Sequence, residues 1–150
     1  MFEEPAVRQA QRLQAALREQ VEGLRPNDVV LSQAAALWRT YDAIERLASA
    51  AKVLLAGRVD ESRVWAREGD RSAADYLARV SGASRGASRS LLDTAKKLPK
   101  APATEATLRR GGLSRVQAEA IADAVAVNPG AEGELLAAAS CESLAELRER

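Results

Sequence analysis

Basic side chains are concentrated in residues 71–100 of this 150-residue chain. This segment contains seven basic and two acidic residues, whereas the segments on either side of it carry a small excess of acidic residues. Guanidinium and ammonium groups donate hydrogen bonds to phosphate oxygens, and a serine hydroxyl adds a neutral donor. We therefore predict a phosphate-contacting surface that comprises Arg79, Ser84, Arg85, Ser88, Arg89, Lys96, Lys97 and Lys100.

The sequence contains no histidine and a single cysteine, Cys141. It therefore lacks the residues for a Ser-His-Asp triad, a Cys-His pair or a zinc site that requires imidazole. A carboxylate-based active site is compatible with the composition, but no pair of carboxylates stands out. We predict a chain without catalytic residues, metal, cofactor or small-molecule site, and the lone cysteine favours a reducing, cytoplasmic compartment.

The composition predicts an all-α protein, because good helix formers dominate and only 3% of the residues are aromatic. Apolar residues at three- and four-residue steps predict a multi-helix bundle within residues 1–150. Its expected parts are a peripheral N-terminal helix within 1–25, a long helix within 28–68, two hairpins within 70–127 and C-terminal helices within 131–150. No apolar run is long enough to cross a bilayer, and no signal peptide is recognisable, so we expect no membrane association.

The predicted long helix exceeds the usual length of a globular helix. Its apolar residues follow an alternating three-four spacing from Leu37 through Tyr41 and Ile44 to Leu55. Such a stripe packs either on the chain's own domain or against a second copy, and the pattern leaves both alternatives open. The second alternative predicts a homodimer through residues 32–67.

Two segments thirty residues apart share one pattern, GASRGASRSLLDTA at 82–95 and GLSRVQAEAIADAV at 112–125. Gly82 and Gly112 align as turn residues that tolerate a left-handed backbone. Ser84 and Ser114 align as N-caps that satisfy free N–H groups at a helix start. The pattern predicts two hairpins, each with two helices joined by a tight turn, as in a helix-turn-helix.

Only the first hairpin has the charge for a DNA-binding helix-turn-helix. Its second helix, 84–98, presents Arg85 and Arg89 one turn apart for phosphates or base edges. The second copy has Glu119 and Asp123, which would repel phosphate. A structural hairpin with a solvated basic face remains the alternative. A phosphate-binding loop does not fit, because GASRG lacks the G-x-x-x-x-G-K-[ST] form and no strand precedes it.

The segment from Trp65 to Arg148 resembles the actinobacterial 13E12-repeat family, also known as domain of unknown function 222. The resemblance rests on REGDRSAADYLARVSGASRGASRSLLDTAKKL, LRRGGLSRVQAEAIADAV and LLAAASCESLAELRER, in this order. Tyr76 and Ser88 depart from the family pattern, which has tryptophan and alanine there. Ser88 also falls on the inner face of the second helix of its hairpin.

Members of this family commonly carry a C-terminal HNH endonuclease domain whose histidines bind metal. The resemblance implies that residues 131–150 lead towards such a domain, which this sequence does not contain, so no catalytic residue carries over. We therefore predict a non-catalytic module that binds or positions double-stranded DNA in an HNH-endonuclease-like protein, using the basic helix 84–98. The alternative is a helical oligomerisation or protein-interaction domain without direct DNA contact.

Overall fold

The computed structural model describes residues 4–141 and 143–150. Residues 1–3 and 142, which fall within the predicted segments 1–25 and 131–150, lie outside the described residues. The described part of the chain is all-α, as predicted, with nine α-helices and no strand. The helices are α1 (Pro5–Glu22), α2 (Leu31–Ser62), α3 (Val64–Arg67), α4 (Ala73–Ser81), α5 (Arg85–Lys97), α6 (Pro102–Arg109), α7 (Arg115–Val127), α8 (Glu132–Ala139) and α9 (Leu144–Glu149).

The chain divides into two compact units after Arg39, within α2. The first unit holds α1 and the start of α2, and no residue of α1 is buried. The second unit, residues 40–150, holds the rest of α2, the helices α3 to α9 and every buried hydrophobic residue of the described chain. We predicted one domain with residues 1–25 as a peripheral addition, and the observed division falls further along the chain.

The long helix ends earlier than predicted. Arg63 follows the last residue of α2 with a left-handed backbone, φ 55°, and α3 then begins. This conformation costs a non-glycine residue about 1–2 kcal/mol. The Arg63 guanidinium lies 5.1 Å from the centre of the Trp65 ring, a cation–π contact that favours the turn. The predicted segment 28–68 therefore contains two α-helices, and Gly69 adopts a left-handed backbone after α3, φ 87°.

Helix α7 lies at the centre of the second unit and packs against α5, α6, α8 and α9. Helix α2 joins the same core through small side chains, whereas Leu55 of its predicted stripe is 58% exposed. In the C-terminal half of α2 the buried face is therefore not the predicted stripe, whereas Leu37, Tyr41 and Ile44 of that stripe are half-buried. The buried residues of α2, α5 and α7 in this core are Ala50, Val53, Ala56, Leu91, Leu92, Ala118, Ile121 and Val125.

Both predicted hairpins are present, α4–α5 and α6–α7. In the first, Gly82 ends α4 with φ 73°, and its N–H donates to the carbonyl of Ala78 at 3.0 Å. In the second, the left-handed residue is Gly111, φ 76°, and not Gly112, which the repeat alignment pairs with Gly82. The Gly112 N–H donates to the carbonyl of Thr107 at 3.0 Å, as in a Schellman turn. The second connection is therefore longer than the first.

Candidate nucleic-acid interface

The start of α5 is fixed by Ser84, as predicted. Its backbone is extended, and its Oγ accepts a hydrogen bond from the Ala87 N–H at 3.0 Å. This bond satisfies one of the N–H groups that a helix leaves free at its first turn. The Ser84 oxygen therefore serves the helix end, and only its O–H remains as a donor for a phosphate.

Ser88 lies on the inner face of α5 and is 3% exposed. Leu91 and Leu92 of α5 and Leu98, which follows it, are also buried. A buried hydroxyl cannot donate to a phosphate at the protein surface. The structure therefore corrects the inclusion of Ser88 among the binding residues and assigns it to the core.

The opposite face of α5 carries a row of cations, which we call the α5 stripe: Arg85, Arg89, Lys96 and Lys100. The first three residues lie within about 40° of arc around the helix axis, given 3.6 residues per turn. Lys100 follows in the 3₁₀ turn Leu98–Lys100. All four side chains are exposed. Asp93, four residues after Arg89 and three before Lys96, lies beside the stripe and is exposed.

Three members of the stripe keep their charge unpaired. Arg89, Lys96 and Lys100 have no ion pair with any residue that the structure describes. Arg85 forms an ion pair with Asp75 of α4, between Nε and Oδ1, at 2.5 Å. The Arg85 side chain is 62% exposed, so this pair leaves most of the guanidinium accessible to solvent.

Arg79 is held by carboxylates and does not belong to the stripe. Its Nε and Nη2 donate to the two carboxylate oxygens of Asp70 at 3.1 and 2.9 Å, and Nη2 also donates to Glu68 at 3.0 Å. The hydrogen bond to Asp70, followed by that to Glu68, raises the pKa of Arg79, and the same guanidinium lowers the pKa of Asp70. Two carboxylates around one cation leave no net positive charge for a phosphate, so Arg79 fastens the loop before α4.

Lys97 is also paired, with Asp123 of α7 at 2.6 Å. This hydrogen bond is the main reason why the pKa of Lys97 is raised. The pair links the two hairpins, because α5 supplies the lysine and α7 supplies the carboxylate. We therefore assign Lys97 to the packing of α5 on α7 rather than to the exposed stripe.

The charge count of residues 71–100 overstates the positive charge of the folded surface. Glu68, Asp70 and Asp123 lie outside this segment in sequence but pair with cations inside it. Sequence reasoning missed these partners. The local pairings that the sequence suggests are helical pairs three or four residues apart, such as Asp75 with Arg79. The fold does not form the pair of Asp75 with Arg79, since Asp75 pairs with Arg85.

A cleft of about 420 Å³ lies beside Arg85 at the start of the first hairpin. It is lined by Gly69, Asp70, Arg71, Asp75, Ala78 and Arg85. Arg71 is a further basic residue of segment 71–100, is exposed and forms no ion pair with the described residues. The cleft thus borders the α5 stripe and adds one unpaired cation to its surroundings.

Within residues 4–141 and 143–150, no group of three or more histidine, cysteine, aspartate or glutamate side chains could hold a metal ion. In the same residues, no helix combines the length and the apolar character needed to cross a bilayer.

Comparison of the chain with protein-family models, with curated proteins and with solved structures gives no match. The resemblance to the 13E12-repeat family therefore stays a prediction from the motifs quoted above.

Proposed function

We propose that the chain is a non-catalytic module that binds double-stranded DNA through backbone phosphates, with the α5 stripe as the contact surface. The proposal is supported mainly by the contrast between the buried face and the exposed, basic face of α5. Its inner face is buried in the core, while its outer face and the 3₁₀ turn that follows carry three unpaired cations and one singly paired cation. A role in positioning DNA for an HNH-type nuclease would follow from the family resemblance.

The dimensions of the stripe suit a phosphate backbone. Arg85 and Lys96 are eleven residues apart, which corresponds to about 16 Å along a helix. Cations spread over this length can reach more than one phosphate, and each such contact releases counterions from the nucleic acid. Contacts of this kind give affinity without strong sequence preference. We therefore expect binding that depends steeply on salt concentration.

The test is a titration of fluorescent duplex DNA with wild-type protein and with Arg89→Glu and Lys96→Glu, monitored by anisotropy at several salt concentrations. Loss of one phosphate contact should weaken binding roughly tenfold at about 50 mM salt. It should also reduce the slope of log affinity against log salt by about one. Circular dichroism shows whether each variant remains folded.

Lys52→Glu provides a matched control for Lys96→Glu. Lys52 is an exposed lysine on α2, and its replacement changes the net charge by the same amount. The control should lose much less affinity than either stripe variant. If wild-type protein does not bind duplex DNA at low salt, or if all three variants weaken binding equally, the proposal fails.

A second candidate function is self-association through α2, and exposed apolar side chains favour it. Leu47 and Leu55 are 47% and 58% exposed on this helix. We propose a homodimer through residues 32–67 as the alternative to DNA binding. Leu55→Glu should shift the protein towards monomer in sedimentation velocity, whereas Arg58→Glu, at a more polar position of α2, should not. A wild-type chain that is monomeric at all concentrations contradicts this alternative.

A further inference from the structure

We propose that Asp75 is a positioning residue that holds Arg85 ready for a phosphate. The proposal rests on the proposed function, because it assigns a role within the same DNA-binding surface. It concerns the only ion pair of the α5 stripe within the described residues, between the N-terminal turns of α4 and α5.

The ion pair leaves much of the Arg85 side chain exposed to solvent. Asp75 pairs with Arg85 at Nε, and no second carboxylate of the described chain pairs with Arg85. The Asp75 side chain is 18% exposed and that of Arg85 is 62% exposed, so solvent reaches the guanidinium much more freely than the carboxylate. A phosphate that approaches from solvent therefore has better access to the guanidinium than to the carboxylate. Two parallel N–H donors match the oxygens of a phosphate.

Asp75 is itself held in place. The Ser72 Oγ–H donates to Oδ2 of Asp75 at 3.0 Å, and the Asp75 N–H donates back to Ser72 Oγ at 3.1 Å. One carboxylate oxygen is thus fixed by the cap of α4, and the other is free to fix Arg85. The chain from Ser72 through Asp75 to Arg85 connects the starts of the two helices of the hairpin.

Such a contact improves binding because it reduces the entropy lost on association. A long side chain that becomes immobile on binding lowers affinity, and an arginine that is already held in one geometry avoids much of this loss. The expected gain is about threefold to tenfold in affinity for one side chain. Asp75 would also weaken the positive potential of the stripe, so its two effects on binding have opposite signs.

The other arginines of the two hairpins lack this arrangement. Arg79 is saturated by two carboxylates. In the second hairpin, Glu105 corresponds to Asp75 but pairs with Arg109 of its own helix at 3.5 Å. Arg115, which corresponds to Arg85, pairs with Glu119 one turn later on α7. A carboxylate that reaches across the hairpin is therefore specific to the first copy.

The experiment is a double-mutant cycle with Asp75→Asn, Arg85→Gln and the double variant, titrated with duplex DNA at low salt. Asn keeps an oxygen acceptor for Ser72 and raises the net charge by one. Asp93→Asn raises the net charge by the same amount beside the stripe without touching Arg85, so it reports the effect of charge alone. Thermal unfolding monitors the fold of each variant.

We expect Asp75→Asn to weaken DNA binding about threefold to tenfold in the wild-type background. In the Arg85→Gln background the same substitution should strengthen binding, because only the charge effect remains. Asp93→Asn should strengthen binding in both backgrounds. If Asp75→Asn has the same effect with and without Arg85, or strengthens binding only when Arg85 is present, Asp75 is not a positioning residue.

A second measurement uses lysine, which has a single charged group and cannot pair with Asp75 and present a fork to a phosphate together. Arg85→Lys should lose nearly as much affinity as Arg85→Gln, whereas Arg89→Lys should stay close to wild type. Equal tolerance of lysine at both positions overturns the inference while Arg89→Glu still supports the proposed function. If wild-type protein does not bind DNA, the proposed function and the inference fail together.

Discussion

The two hairpins share one plan but are anchored differently. In both, a left-handed glycine ends the first helix and a serine caps the second. In the second hairpin the residue before the cap, Leu113, is 2% exposed, whereas the corresponding Ala83 of the first hairpin lies at the surface. The turn of the second hairpin is therefore part of the core, and the turn of the first remains open to solvent.

The ion pairs of the two hairpins also differ: one connects the two helices of the first hairpin, whereas those of the second lie within single helices. In the first, Asp75 reaches from α4 to Arg85 of α5. In the second, Glu105 and Arg115 each find a partner within their own helix. Glycine and serine therefore set the shape of both turns, while the side chains between and beyond them determine whether a turn packs into the core or presents charge. A buried turn supports the fold, and an exposed turn can present charge to a ligand.

The largest effect is expected from removal of the buried apolar side chain in the turn of the second hairpin. Leu113→Ala should lower the free energy of unfolding by about 2–5 kcal/mol, because it leaves a cavity where the side chain was buried. Ala83→Ser, at the equivalent position of the first hairpin, should change it by less than about 0.5 kcal/mol. Urea denaturation followed by circular dichroism measures both. Similar losses for the two variants would show that both turns carry the core equally.

Alanine at the two left-handed glycines provides a smaller test. Gly82→Ala should cost about 1–2 kcal/mol for the positive φ alone, since an added Cβ meets no atom within 4 Å. Gly111→Ala should cost more, because the same Cβ would lie 3.2 Å from Cδ2 of Leu47 on α2. Thermal or urea unfolding separates the two. Equal costs would mean that the second turn is not held against α2.

The local parts of the fold could be predicted from the sequence. Ser84 and Ser114 form the expected caps, and Gly82 forms the expected turn, because each depends on a few neighbouring residues. The register of the second turn was wrong by one residue, since GG offers two glycines and the alignment alone cannot choose between them. The end of α2 at Arg63 was also missed, because a left-handed arginine has no sequence signal.

The candidate site could be predicted only in part, for a physical reason. Helical spacing is enough to place Arg89 and Lys96 on the outer face of α5 and Ser88 on the inner face. The partners of Arg79 and Lys97 depend on which loops and helices fold against α4 and α5, and no local pattern encodes that. Net charge along a sequence window therefore indicates where cations are, but the fold decides which of them remain unpaired.

The smallest predicted effect is a pH dependence of folding stability that comes from the ion pair of Arg79. The corresponding residue of the second hairpin, Arg109, pairs within its own helix. Hydrogen bonds from Arg79 lower the pKa of Asp70 below 3.8 in the folded protein. A carboxyl group with a lowered folded-state pKa stabilises the protein above its unfolded-state pKa, and this contribution disappears as the pH falls through the folded-state value. Wild-type protein should therefore lose stability more steeply below about pH 4 than Asp70→Asn does.

Arg79→Gln should show the same shallow dependence of stability on pH as Asp70→Asn, because either change removes the ion pair. The difference from wild type should be small, because the pair is exposed to solvent. Unfolding curves from pH 5 to pH 2 test this, and three identical slopes would mean that Arg79 fastens the loop by geometry without a measurable ionic contribution.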